Sequence, residues 1–456
     1  MDKKDTMIND LTTGSVPKQL IIFATPLLLS GFLQTAYNMV DMVIVGNYVN
    51  KSGLAAVSIG ADVLHLLTFI AMGFSSAGQV IISQYVGAGR HEQISKLIGT
   101  LFTFLLSCAL IMTAGCLAFT DNILRWVNTS EDAFDYAHSY VFVCILGLFF
   151  IYGYNLVSAI LRGMGDSKHP FIFIATAAIL NIILDYLFVA KLNMATLGAA
   201  LATVIGQGVS FIWALCFLYR RRDQFGFDFK PKSFRIDKEV FPPLIKLGIP
   251  MVLQSAAVSL SKLYVNSWVN SYGSVATAVT GVGNKLSTIT NVFAQSLSTA
   301  GSSMMAQCIG AEKYDRVPRV LGTSFILNGV VSAMLSIAMY FFPTAIFGIF
   351  TDDPEVLAMS VIYVPVALLL YLSCIFRPPM FALISASGNS RLNLVIALLD
   401  GVIARIGFAL LLGVTFDLGI KGFWYGDALA GFIPAIVGAI YYRSGKWKTR
   451  KYIIKD

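Results

Sequence analysis

The sequence predicts an all-α integral membrane protein of about twelve spanning helices, built as two similar lobes of six. Three observations lead there. Charged residues make up only 13% of the 456 positions and apolar ones 56%, whereas soluble domains carry about 25% charged residues; the mean hydropathy is +0.73. Apolar runs long enough to cross a bilayer recur, among them 101–119, 137–161 and 171–190. The chain also repeats itself. Gln84-Tyr-Val-Gly-Ala-Gly-Arg90 returns 223 residues on as Gln307-Cys-Ile-Gly-Ala-Glu-Lys313, and Pro26 answers Pro250. Gly165-Asp-Ser-Lys168 answers Gly388-Asn-Ser-Arg391, and Gly198 answers Gly422. An offset held at four separated places marks a duplicated half. The spans are helices because a helix satisfies its own backbone polar groups in lipid; the short alternating segments of a membrane barrel are missing.

The charged N-terminus, 1–10, leads into an apolar helix with no small-residue cleavage site, so this helix is the first span and not a removed leader. Pro26 removes one backbone bond there and lets the helix bend. Gln34, Tyr37 and Asp41 fall at i, i+3 and i+7, on one face, with Asp41 closing the span. In the second span Asp62 and His65, three apart, either pair locally or face a cavity. The repeated Gly-Ala loops that follow the second span of each half read as tight turns carrying topology charges, or as caps of a cytoplasmic gate. The fourth span offers Asn155. The fifth holds Asn181 and Asp185, four apart on one face, and the sixth adds Thr203 and Gln207. An unpaired buried carboxylate is costly, so Asp185 calls for a proton or a cation. Carboxylate, amide and hydroxyl oxygens suit either a relayed proton or a hard cation such as Na⁺.

A basic stretch, 222–238, separates an N-lobe (1–221) from a C-lobe (239–456). Six spans per half make the halves parallel, which implies a pseudo-twofold axis along the membrane normal and a substrate bound between the halves near the midplane. The second half carries Lys262, Lys285, Arg377, Asp400, Arg405 and Asp427 inside its spans. Arg377 precedes Pro378-Pro379, which predicts a break in the tenth span. Lys262 and Arg377 line a central cavity or reach for a span end. Asp400 and Arg405, at i and i+5, read as a structural pair with each other or across helices. Tyr37, Tyr140, Tyr152, Tyr264 and Phe293 pack or line a cavity.

The net charge of +8 does not indicate nucleic acid, because its placement is that of a membrane protein. Lys and Arg gather in alternate loops, including 220–238 and the tail Arg443, Lys446, Lys448, Arg450, Lys451 and Lys455, while the opposite loops are acidic, as at Glu131-Asp132 and Asp352-Asp353. This puts both termini in the cytoplasm. The six cysteines stand singly in apolar runs. There is no phosphate-binding loop, no H-E-x-x-H and no G-x-S-x-G. An enzyme is not indicated, no cofactor or metal centre is implied, and an ion gradient is the natural source of energy.

Together, Ala24-Thr-Pro26, Gln34, Asp41-Met-Val-Ile-Val-Gly46, Gly53-Leu-Ala-Ala-Val-Ser58, Gln84-Tyr-Val-Gly-Ala-Gly-Arg90 and Arg162-Gly-Met-Gly-Asp-Ser167 resemble the MATE (multidrug and toxin extrusion) transporters, in their DinF- or MepA-like branch, over nearly the whole chain. The resemblance implies the two-lobed MATE/MOP fold and a bacterial inner-membrane antiporter, working as a monomer, that exports amphipathic, mostly cationic drugs or toxins in exchange for H⁺ or Na⁺. It implies a cation site at Asp41, Asp185, Asn181 and Thr203, with Asn155 and Gln34 beside it. It also implies a substrate cavity with Tyr37, Asp62, His65, Tyr152, Lys262, Tyr264, Phe293 and Arg377 as candidates, and bending at Pro26. The NorM-like branch also uses acids on spans seven and ten, where this chain has Lys262 and Arg377. Two other readings are a lipid-linked saccharide flippase, whose anionic substrate would favour those bases, and a membrane-embedded enzyme.

Overall fold

The computed structural model describes residues 8–448, and among these there is no β-strand. The residues 1–7 and Arg450, Lys451 and Lys455 of the basic tail lie outside the described residues. The first half comprises α1 (Val16–Tyr48), α2 (Lys51–Gly87), α3 (His91–Ala118), α4 (Thr120–Trp126), α5 (Glu131–Leu146), α6 (Leu148–Gly163), α7 (Lys168–Asp185) and α8 (Ala195–Arg220). The second comprises α9 (Phe241–Asn270), α10 (Ser274–Gly310), α11 (Arg316–Phe341), α12 (Pro343–Gly348), α13 (Pro354–Ala386), α14 (Ser390–Leu398), α15 (Arg405–Leu410), α16 (Ile420–Ala430) and α17 (Ile433–Arg443).

Ten of these helical stretches are long and apolar enough to cross a membrane. The fourth span, expected as one run over 137–161, is instead α5 and α6 meeting at a 49° bend, and counts as an eleventh. The bend falls at Gly147, where a Cβ would come within 2.5 Å of Val204 on α8. The twelfth expected span is α10. Its 37 residues make it about 55 Å long, ample for a bilayer, but its Ser, Thr, Asn and Gln leave it too polar to be recognised by hydropathy alone.

The duplication is visible in the backbone. After α2, Ala88 N–H donates to Gln84 O (2.9 Å) and Arg90 N–H to Tyr85 O (2.9 Å); after α10, Ala311 donates to Gln307 O (2.9 Å) and Lys313 to Cys308 O (2.9 Å). Gly89 turns at φ +68°, and Glu312 holds the same turn at φ +60°. A left-handed turn is natural for glycine and costly for a residue with a Cβ, so the second copy keeps the geometry after losing the residue that suits it.

The contacts divide the chain into two compact units, one built on Thr25–Gly248 and the other on residues 249–448 together with Asp10–Ala24. The divisions fall inside α1 and α9, next to Pro26 and Pro250, and not in the stretch 222–238 where composition alone changes. That stretch belongs to the first unit because its phenylalanines dock on α3. Phe102 meets Phe227, Phe229 and Phe234 with ring centroids 6.5, 6.4 and 5.6 Å away. A Cβ on Gly99 would meet Ser233 O at 2.1 Å, so the linker backbone lies directly on the helix.

In the second unit, Lys313 and Arg316, from the repeated loop and the start of α11, hold the segment before α1. Lys313 Nζ donates to Thr12 Oγ1 (2.8 Å), Arg316 to Gly14 O (3.0 Å) and Thr13 O (3.1 Å), and Leu11 N–H to Gln307 Oε1 (3.0 Å). Asp10 accepts from Thr12 N–H (2.8 Å) and Thr12 Oγ1 (2.6 Å). Burial works to raise its pKa, but the hydrogen bonds from Thr12 and Thr13 and the Lys313 charge outweigh it, and the pKa lies below its ordinary value.

Candidate functional site

In the first unit four helices bring polar side chains to one place. Asp41 does not close its span: α1 continues to Tyr48, and Asp41 is 5% exposed. Asp185, fully buried, ends the regular part of α7, after which Tyr186–Lys191 widens into a π turn. Asp41 and Asp185 lie within reach of each other, with Asn181, 3% exposed, beside both. Asn181 donates to Thr203 Oγ1 of α8 at 3.4 Å. Asp41 Oδ1, both carboxylate oxygens of Asp185, Asn181 Oδ1 and Gln207 Oε1 are nevertheless buried with no well-aligned hydrogen-bond partner. Two facing carboxylates with orphaned oxygens in a water-poor interior are not stable as two bare charges. Such an arrangement is chemically suited to a shared proton or a cation.

Tyr37 lies beside Asp41 and within reach of Gln34 and Gln207. Tyr140 of α5 is buried near both carboxylates and Cys144. The sequence pointed to Tyr140 only as one aromatic among several, and what seats it was not legible there. A Cβ on Gly60 of α2 would stand 2.3 Å from the Tyr140 ring.

Other expected residues fall elsewhere. Asn155 donates to Ile151 O of its own helix (2.8 Å). Tyr152 is fully buried and donates to Leu67 O (2.7 Å), which makes it a packing residue. Asp62 and His65 are exposed on α2 without an ion pair between them, and the His65 ring meets Phe69 edge-on at 4.9 Å. Tyr264 is exposed and Phe293 half-buried.

Three intramembrane bases of the second unit, Lys262, Arg377 and Arg405, face acids. Arg377 Nη2 and Arg405 Nη2 each donate to Asp400 at 3.0 Å, and Arg405 Nη1 donates to Asp427. Asp400 is fully buried and Arg405 is 2% exposed. Lys262 lies in the field of Asp427. The two share a cavity of about 20 Å³ with Asn266, Asn284 and Tyr363, room for about one water. Lys285 is exposed, with Nζ 5.5 Å from the centre of the Phe350 ring. The break expected at Pro378-Pro379 does not occur, and α13 runs through both prolines. Neighbouring side chains take up backbone groups around such prolines, and Ser298 Oγ donates to Pro378 O at 3.2 Å.

The family model MatE matches this chain twice, over residues 26–187 and 250–411, starting each time at one of the paired prolines. The chain is 30% identical over 442 residues to the probable multidrug resistance protein YoeA of Bacillus subtilis, covering 96% of this chain and 95% of that one. It is 29% identical over 444 residues to the probable multidrug resistance protein YpnP of the same organism, covering 97% and 98%. Among solved structures, a MOP superfamily transporter from Pyrococcus furiosus, described by the reverse polarity of its binding pocket, superposes with a TM-score of 0.89 at 21% identity, covering 99% of this chain and 100% of that one. With the duplicated helical halves and both matches of the family model, this chain belongs to the MatE family of multidrug and toxin extrusion transporters.

Proposed function

We propose that the protein is a secondary antiporter that exports amphipathic, mostly cationic compounds in exchange for H⁺ or Na⁺, with the cation taken up at Asp41 and Asp185. The observation that carries this reading is the set of orphaned oxygens on Asp41, Asp185 and Asn181. A carrier couples two fluxes only if ion and drug favour different states of the same molecule. A site that is stable only when loaded supplies that preference for the ion. Asn181 and Thr203 orient the acids, Tyr140 lies near them, and Pro26 is where α1 bends. The alternate-loop placement of Lys and Arg supports a bacterial inner membrane with both termini cytoplasmic, and the protein acts as a monomer. An anionic, lipid-linked saccharide is the less favoured cargo, because Arg377 and Arg405 are bound to Asp400 and Asp427.

The test is transport in proteoliposomes under H⁺ and Na⁺ gradients imposed separately, with ethidium as cargo. The wild type accumulates the dye against one gradient, and Asp185→Asn abolishes that dependence. Undiminished gradient-driven transport in the variant would overturn the assignment.

A further inference from the structure

We propose that the first unit carries a binding site for an anionic phospholipid, formed where the linker docks on the helices. A groove of about 550 Å³ runs between α3, α6, α8 and the linker. Its walls are Phe102, Phe149, Phe211, Phe229 and Phe234, and at its mouth stand Tyr219 and Arg220. Phe149 adjoins the bend at Gly147, so the groove reaches from the basic end of α8 along apolar, membrane-spanning helices. Its flank on α8 is open, with Ile212 55% exposed and Cys216 exposed. A long apolar slot of this kind at membrane depth suits an acyl chain.

The charge at the mouth selects the head group. Residues 220–238 hold seven bases against three acids. Arg220, Lys232 and Arg235 have exposed side chains. Asp228, the acid between Phe227 and Phe229, is already engaged by Ser233 Oγ (2.5 Å), Lys230 N–H (3.1 Å) and Lys230 Nζ (3.6 Å). The surplus is therefore positive, and Tyr219, next to Arg220 and 50% exposed, is an amphipathic ring of the kind that settles at head-group level. Basic pockets between membrane helices on the cytoplasmic side take anionic head groups; that this end is cytoplasmic rests on the orientation proposed above. The occupant is a phospholipid of that leaflet, its phosphate on Arg220 and one acyl chain among the phenylalanines. The chain thereby ties the linker to α3 and α8.

Cys216 lines the groove and is exposed, which makes it a reporter in the native protein. Purified protein is reconstituted in nanodiscs of phosphatidylcholine alone or with phosphatidylglycerol, and maleimide labelling of Cys216 is followed by peptide mapping. Retained lipid is counted by native mass spectrometry. Phosphatidylglycerol is expected to slow labelling at Cys216 and to be retained over phosphatidylcholine. Arg220→Gln is expected to weaken retention roughly fivefold, the effect of one base near a charged surface, and Cys216→Trp, which fills the slot, to abolish it with an unchanged melting temperature. Equal labelling in both lipids, retention unaffected by both variants, ethidium in place of lipid at Cys216, or a second copy of the chain covering the groove would each overturn the proposal. None of these outcomes touches gradient coupling at Asp185, so the two proposals fail independently.

Discussion

In the first unit Asp41 and Asp185 face each other with orphaned oxygens, while in the second Asp400 and Asp427 alternate with Arg377, Arg405 and Lys262. Both sets lie inside membrane-spanning helices, where charge is expensive. The second unit meets that cost with internal counter-charges, Arg377 and Arg405 on Asp400 and Arg405 on Asp427. The first unit leaves it unmet and so depends on something from outside. The two repeated halves thus differ: one holds a braced network, and the other holds the acids to which the proposed function assigns the coupling ion.

This contrast can be broken at either end. The largest effect is expected in the brace. Asp400→Ala leaves Arg405 buried beside a single remaining acid, and stripping one partner from a buried pair costs about 3–5 kcal/mol. A fall in thermal unfolding temperature in detergent checks it, and an unchanged temperature would mean that Arg405 finds water. Gly60→Ala should cost about 1–3 kcal/mol by overpacking, because the new methyl meets the Tyr140 ring, and it should also lower transport since Tyr140 lies near both carboxylates of the acid site. Asp41→Asn should behave oppositely to Asp400→Ala. Its stability should stay within about 1 kcal/mol of the wild type, since no good hydrogen bond is lost, while gradient-driven transport is lost. A large drop in unfolding temperature would show that the two units are braced alike.

The smallest effect concerns the segment before α1. The Asp10 carboxyl is held below its ordinary value in the folded chain, so its contribution is present above the unfolded carboxyl value of about 3.9 and is lost as pH falls through the lower, folded one. Protection of residues 11–15 against hydrogen exchange, taken relative to the intrinsic rate at each pH, should therefore fall below about pH 4, and Asp10→Asn should remove that pH dependence.

Much of the fold was legible because lipid restricts the choices. The apolar runs, the repeated turns and the paired prolines are local signals, and each marks a helix or its end. The bend at Gly147 was masked by a continuous apolar run. The acid site was half legible. Asp41, Asp185, Asn181 and Thr203 stand out as polar residues in apolar helices, but nothing local shows that Tyr140 lies near the two acids or that Asn155 turns back on its own helix. The network of the second unit was the least legible. Asp400 and Arg405 are near in sequence, yet the partners that complete the set, Arg377, Asp427 and Lys262, come from three other helices.

The sequence by itself determined that this chain spans a membrane, that it is a doubled unit, and that its intramembrane charges differ between the halves, because composition and periodicity report directly on the solvent each segment meets. Only the tertiary structure decided which charges are answered. Whether a buried carboxylate is a brace or a binding site depends on what another helix places within 3.0 Å of it, as Arg377 is placed against Asp400, and that distance is a property of packing between segments far apart in the chain.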